Sequence, residues 1–193
     1  MIDGTLSGLV RAMIYSVQNP RPAARAMLGL HLPVAARWLG LALAAAGSTL
    51  LTVLAVRLSP AGDDLAVQQI LANPLFLAAV QVGVLLVVTW LMAQVGRLAG
   101  GQGGFADAMV LMVWLQVILM AVQIVQLAVQ LVSPMAGEVL GLLALGLLFW
   151  LLTNFVAELH GFTALGAVFA GIIGTALVLS FAVAVLLVSL VGG

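Results

Sequence analysis

The chain has 193 residues, of which 65% are hydrophobic and 6% charged, and its formal net charge is zero. So few charges cannot cover a soluble domain of this length, and a balanced charge offers nothing to nucleic acid. Lysine and cysteine are both absent, which excludes Schiff-base chemistry, a Walker-type phosphate loop, disulfides, a thiol nucleophile and thiolate-bound metal.

In chain order, residues 5–18 come first. Leu6, Leu9, Val10, Met13, Ile14 and Val17 recur at helical spacing, with Ser7, Arg11 and Gln18 largely off that face. This pattern predicts an amphipathic helix lying in the membrane interface. It has neither the basic start nor the small-residue cleavage site of a secretory signal. Asn19-Pro20-Arg21-Pro22 breaks the helix, and residues 23–30 read as a second short one. Residues 1–32 are thus expected to form a cytoplasmic interfacial segment, and 33–193 a transmembrane domain.

A span needs about 20 apolar residues. Five stretches qualify: 33–57, 74–95, 105–132, 138–158 and 163–191. The fourth is the shortest, interrupted by Gly141 and Gly146 and carrying Asn154 and Glu158 near its end. Ser59-Pro60, Asn73-Pro74 and Ser133-Pro134 mark breaks, since proline disfavours helix before it and suits the first turn after it. Residues 64–72 read as a brief amphipathic helix on the opposite surface. Arg11, Arg21, Arg25, Arg37 and Arg97 fall on one side; Arg57 falls on the other, beside Asp63 and Asp64. The positive-inside rule then puts the N-terminus in the cytoplasm and Gly192-Gly193 outside. The expected fold is all-α: a polytopic five-span transmembrane helix bundle with an N-terminal amphipathic helix.

Between the second and third spans lies "GRLAGGQGGFAD", in which Gly101-Gln-Gly103-Gly-Phe-Ala106 fits a dinucleotide fingerprint. That fingerprint requires a strand before the glycines, a helix after them and an acidic residue about 20 positions on. Here a membrane span precedes the glycines, and the later stretch reads "IVQLAVQ". The better reading is a compact turn in which Gly100, Gly101, Gly103 and Gly104 supply backbone freedom. Arg97 and Asp107 then complement the dipoles of the flanking helices. The turn could alternatively offer N–H groups to a lipid phosphate, with Arg97 as counter-charge.

These features carry a resemblance. The "NP" after the first helix (Asn19-Pro20), "GRLAGGQGGFADAM" and "ELHGFTALGAVFAG" together resemble a bacterial member of the Yip-one domain family, five-span membrane proteins named for eukaryotic Rab-interacting factors. In that family a glycine-rich turn followed by an aromatic and a small residue opens the third span, and a small motif like His160-Gly161 precedes the last. The resemblance covers nearly the whole chain. It departs from the eukaryotic members in lacking a long polar cytoplasmic region, so GTPase binding is not carried over.

Polar groups inside spans point to function or packing. Gln116, Gln123 and Gln130 lie seven apart, with Gln126 beside them, and form one stripe. The stripe is either interhelical glue, at about 0.6 kcal/mol per amide bond, or a hydrated path; it could also seal a homo-oligomer. Ala36, Gly40, Ala44, Ser48 and Thr52 repeat every fourth position on the first span, and Gly166, Ala170 and Gly174 do so on the fifth. Such faces predict tight helix contacts, within the bundle or across a dimer. Glu158 sits at a helix C-terminus, where the dipole opposes it, on the same side as Arg97. The sharp expectation is a Glu158–Arg97 ion pair; the plain one is an exposed carboxylate.

His31 and His160 form no ligand motif, the serines lack a nearby base, and no catalytic residue, metal or cofactor is expected. The expected function is a non-catalytic membrane organiser or partner-binding component of the bacterial inner membrane, in homo-oligomers or with another membrane protein. The alternatives are a small transporter or channel using the glutamine stripe and the Asn154–Glu158 face, and a lipid-binding or lipid-moving protein. In the last, Arg21, Arg25 and Arg97 would meet the headgroups of an anionic phospholipid.

Overall fold

The computed structural model describes residues 5–58 and 64–191. Helix α1 (Leu6–Gln18) starts where the Thr5 hydroxyl accepts the Gly8 N–H at 3.1 Å, satisfying one of the free donors of a helix start. Asn19 closes α1 and at once precedes α2 (Pro20–Leu28). Proline has no N–H to lose at a first helical position. Pro20 therefore opens a helix as well as ending one, and α2 begins three residues before the expected start.

The remaining helices are α3 (Val34–Arg57), α4 (Leu65–Leu71), α5 (Pro74–Leu98), α6 (Phe105–Val132), α7 (Pro134–His160) and α8 (Leu165–Val191). Five of them are long and apolar enough to cross a membrane: α3, α5, α6, α7 and the Leu165–Val185 part of α8. Asn73 and Ser133 cap α5 and α7 by accepting the N–H of Phe76 and Ala136, at 3.0 and 3.4 Å, each followed by proline in the first turn. The Ser133 cap starts the fourth span at Pro134 rather than at 138. Glu138 thus lies in the second turn, beyond the helix start where a negative charge meets the dipole best. Helix α5 runs on to Leu98, so Gly96 and Arg97 belong to its last turn. The Ser59-Pro60 break, Asp63 and Gly192-Gly193 lie outside the described residues.

Helix α6 is the most buried span and α8 the least. Around α6 stand α3, α5 and α7, while α2 lies across α6 and α7 and α1 across α2. Leu41, Ala44, Ala45, Ser48 and Thr49 form the buried face of α3. Gly40 faces Val113 of α6, and Gly47 faces Met120 about two turns further on. Close approach at these points needs small residues. Helix α8 rests chiefly on α7, with Phe169 set edge-on to Phe149 at 6.0 Å. Its small-residue face does not pack in the bundle: Gly166 and Gly174 have open space around them, and Ala170 is exposed. That corrects the expectation of a tight contact there within the chain, because Phe169 and its neighbours, which carry more apolar surface, take the α7 side.

Candidate functional site

The chemistry-bearing side chains gather at one end of the bundle, where α2, the end of α5, the start of α6 and the end of α7 meet. His160 ends α7 and is buried. Its Nδ1 accepts the Gly103 N–H at 3.0 Å, so Nε2 carries the proton and donates it to the Met92 carbonyl, also at 3.0 Å. One ring face stacks on Phe162, with centroids 5.5 Å apart. A Cβ at Gly96, Gly101 or Gly103 would run into this imidazole. The glycine-rich turn is a seat for a histidine 57 residues away.

The four glycines singled out from the sequence therefore differ in role. Gly100 has φ +91°, and the bonds from Gly101 N–H to Gly96 O (2.9 Å) and Gly100 N–H to Arg97 O (3.0 Å) close α5 in a Schellman motif. Helix α7 closes likewise at Gly161 (φ +73°), with Phe162 N–H on Ala157 O at 2.8 Å. Gly101 and Gly103 make room for His160, and Gly104 precedes α6 in an extended conformation. The N–H groups of Gly100, Gly101 and Gly103 are all spent inside the protein. Those three are therefore not free for a lipid phosphate.

Glu158 does not pair with Arg97. Its Oε1 accepts from Arg25 Nε at 2.7 Å and its Oε2 from Arg21 Nε at 3.1 Å, with 9% of the carboxylate side chain left exposed. The reason is the docking of α2 on α7. Arg21 and Arg25 are four residues apart, hence on one face of α2, and that face meets the end of α7. The carboxylate, by its hydrogen bond and its charge, pushes the Arg25 guanidinium above its ordinary range. Arg97 is exposed and makes no ion pair among the described residues. A signal was present in the sequence: an acidic residue facing the wrong end of a helix dipole needs a cation, and an i, i+4 arginine pair stood ready in the N-terminal segment.

Two tryptophans fasten α1. Trp114 Nε1 donates to the Ser16 hydroxyl at 2.9 Å, and Ser16 donates in turn to the Ala12 carbonyl at 2.8 Å. Trp150 Nε1 donates to the Val17 carbonyl at 3.2 Å. Leu9, Met13 and Val17 pack on the core while Leu6, Val10 and Ile14 stay exposed. Asn154 is buried and donates to the Trp150 carbonyl of its own helix at 2.8 Å, so no Asn154–Glu158 polar face opens to a path.

The glutamine stripe divides. Gln130 lies against Gly137 and Gln126 against Gly141, so these amides sit where α7 offers no side chain. None of the four amides makes a side-chain hydrogen bond among the described residues, which corrects the expectation of glue through amide bonds. Gln116 instead lines a cavity of about 690 Å³ between α5 and α8, floored by α6 and α7. Gln81 and Thr175 line it too; its other walls are almost wholly apolar, among them Val84, Val88, Leu148 and Ile172. Among the described residues, no three histidines or carboxylates gather in a way that could hold a metal ion.

Five apolar spans with an N-terminal helical pair latched onto one end define a polytopic helical membrane protein. The Yip1 domain family model matches residues 14–187, nearly the whole described chain, and the chain belongs to that family. Neither the curated proteins nor the solved structures return a match.

Proposed function

We propose that this protein is a non-catalytic membrane organiser that binds a partner through the helical pair α1–α2 at the cytoplasmic face of a bacterial inner membrane. The supporting observation is the latch. Glu158, Arg21, Arg25, Trp114 and Trp150 all serve to hold α1–α2 at a fixed place, leaving Leu6, Val10 and Ile14 outward. A helix held so rigidly costs little further ordering when a partner docks. Its exposed apolar stripe suits the acyl boundary, with Arg11 toward the headgroups and cytosol. The distribution of arginines supports a cytoplasmic N-terminus and a periplasmic C-terminus.

The test is site-specific photo-crosslinking in native membranes from positions 11 and 15 on α1. A discrete protein adduct that disappears in Glu158→Gln supports the reading. Adducts to lipid alone, unchanged by that substitution, count against it.

A transporter is the second reading, favoured by the cavity that reaches Gln81 and Gln116. The seating of Gln126 and Gln130 on glycines weighs against a path running the length of α6. Single cysteines at 116, 123 and 130, in a chain without native cysteine, decide the matter. Reaction of all three with membrane-impermeant thiol reagents favours transport.

A further inference from the structure

Among the buried polar side chains of the described residues, His160 alone is of a type that titrates near neutral pH. Its ring is held in one protonation state. Nδ1 accepts the Gly103 N–H and Nε2 donates to the Met92 carbonyl, each at 3.0 Å. A neutral imidazole offers one acceptor and one donor, which these two partners require; an imidazolium has two donors and no acceptor. A proton added at Nδ1 would therefore point at the Gly103 N–H. Turning the ring over gives no relief, because a donor would still face a donor.

The groups around the ring are Met92 and Gly96 of α5, Gly101 and Gly103 of the turn, and Phe162, and none carries a charge. On the same elements Arg97 of α5 and Asp107 of α6 are exposed, and Glu158 of α7 is taken up by Arg21 and Arg25 of α2. A charged ring would keep its place on α7. It stands in the last turn of that helix, where the carbonyl end attracts a cation. Phe162, from the same stretch of chain, stacks on it with centroids 5.5 Å apart, within the range at which an aromatic face holds a cation. The Met92 carbonyl accepts from Nε2 in either state. Only the bond to Gly103 is lost, so the parting falls between the ring and the turn that leads into α6.

We infer that His160 is a proton-operated catch: protonation of its ring releases the α5–α6 turn from the end of α7. The effect reaches the α5–α8 cavity, because Gly96 and Phe162, both against the ring, also line one end of it. The catch is independent of the partner-binding reading. The residues that hold α1–α2 are Glu158, Arg21, Arg25, Trp114 and Trp150, and none of them is a partner of the imidazole.

The experiment uses the full chain in phosphatidylcholine vesicles, with a nitroxide on Gln102→Cys, an exposed position of the turn in a protein without native cysteine. Electron paramagnetic resonance reads label mobility from about pH 8 to about pH 5, a range that spans the ordinary titration of histidine. Nitrogen-15 NMR of the histidines reads the state of His160 in the same samples, with His31→Gln assigning the two signals. The expected result is a mobile fraction that rises several-fold with the same midpoint as the charging of His160. A turn that stays immobile while His160 charges overturns the inference, and so does a ring still neutral at the acid end. A second label on Leu131→Cys, exposed near the other end of α6, should not respond; an equal response there means general acid unfolding and overturns the catch. His160→Gln keeps an acceptor and a donor but cannot charge, and its turn should stay immobile throughout. A response like that of the native histidine in this variant overturns the assignment to His160. Should the variant fail to fold, the two labels and the NMR titration with His160 in place still decide.

Discussion

The Gly103 N–H and the His160 imidazole meet at 3.0 Å across 57 residues of chain, and the two helix ends they join are closed by the same backbone motif. A glycine-rich turn and a helix-ending histidine thus make one structural unit: the turn is glycine-rich because the imidazole occupies the volume where side chains would stand.

Gly96→Ala tests this directly. In the last turn of an exposed helix, alanine should stabilise by up to about 1 kcal/mol. Here the new methyl meets an imidazole pinned by two hydrogen bonds, and we expect a net loss of about 1–3 kcal/mol, as for overpacking. The loss should shrink markedly when His160→Ala is added. Thermal or denaturant unfolding of the purified protein in detergent would report both effects.

The four glycines of the turn should separate by mechanism. Gly100→Ala has space but the wrong φ, costing about 1 kcal/mol whether or not His160 is present. Gly101→Ala should be harmful, and His160→Ala should relieve it only in part, because the new methyl meets the His160 Cβ as well as the ring. Gly104→Ala, with ordinary φ and an ordinary contact to Asp107, should be close to neutral. Equal costs at Gly100, Gly101 and Gly104 would contradict this account.

For the ion pair, a double-mutant cycle between Arg21→Gln and Glu158→Gln should show coupling, whereas Arg97→Gln with Glu158→Gln should be additive. Hydrogen bonds to charged groups suggest about 1–3 kcal/mol for loss of the Glu158 carboxylate. Hydrogen exchange should show α2 opening more readily in the Glu158 variant while α6 is little changed.

Trp114→Phe removes the donor to Ser16 and keeps the ring. A loss of about 1 kcal/mol is expected, felt as faster proteolysis within α1 rather than as unfolding of the spans. Trp150→Phe should act in the same place and direction.

Glycines along α7 and α8 offer a further ordering. Gly137→Ala strikes the backbone and Cβ of Gln130, and should be costly. Gly141→Ala meets only the amide end of Gln126, which can turn aside. Gly166→Ala and Gly174→Ala meet nothing and should be neutral or slightly stabilising in helix terms. A marked loss of stability in Gly166→Ala or Gly174→Ala would show that α8 packs against something beyond this chain.

What the residues alone determined is the membrane architecture. Transfer of an apolar segment from water to lipid is summed over some twenty neighbouring residues, so it is a local property, and 105–132 was legible to the residue. Helix starts at Thr5 and Asn73 were nearly as legible, because capping and proline chemistry act within one turn, whereas at Ser133 the break was read but the span was placed from 138, four residues late. Where Glu158 finds its cations was not legible, since Arg21, Arg25 and Arg97 share one side of the membrane and only the docking of α2 on α7 chooses between them. The same holds for the glycine turn and for the stripe on α6. Whether a glycine serves a backbone angle, as at Gly100, or makes room for His160, as at Gly101, depends on which helix lies opposite, and that is decided by packing across the whole bundle.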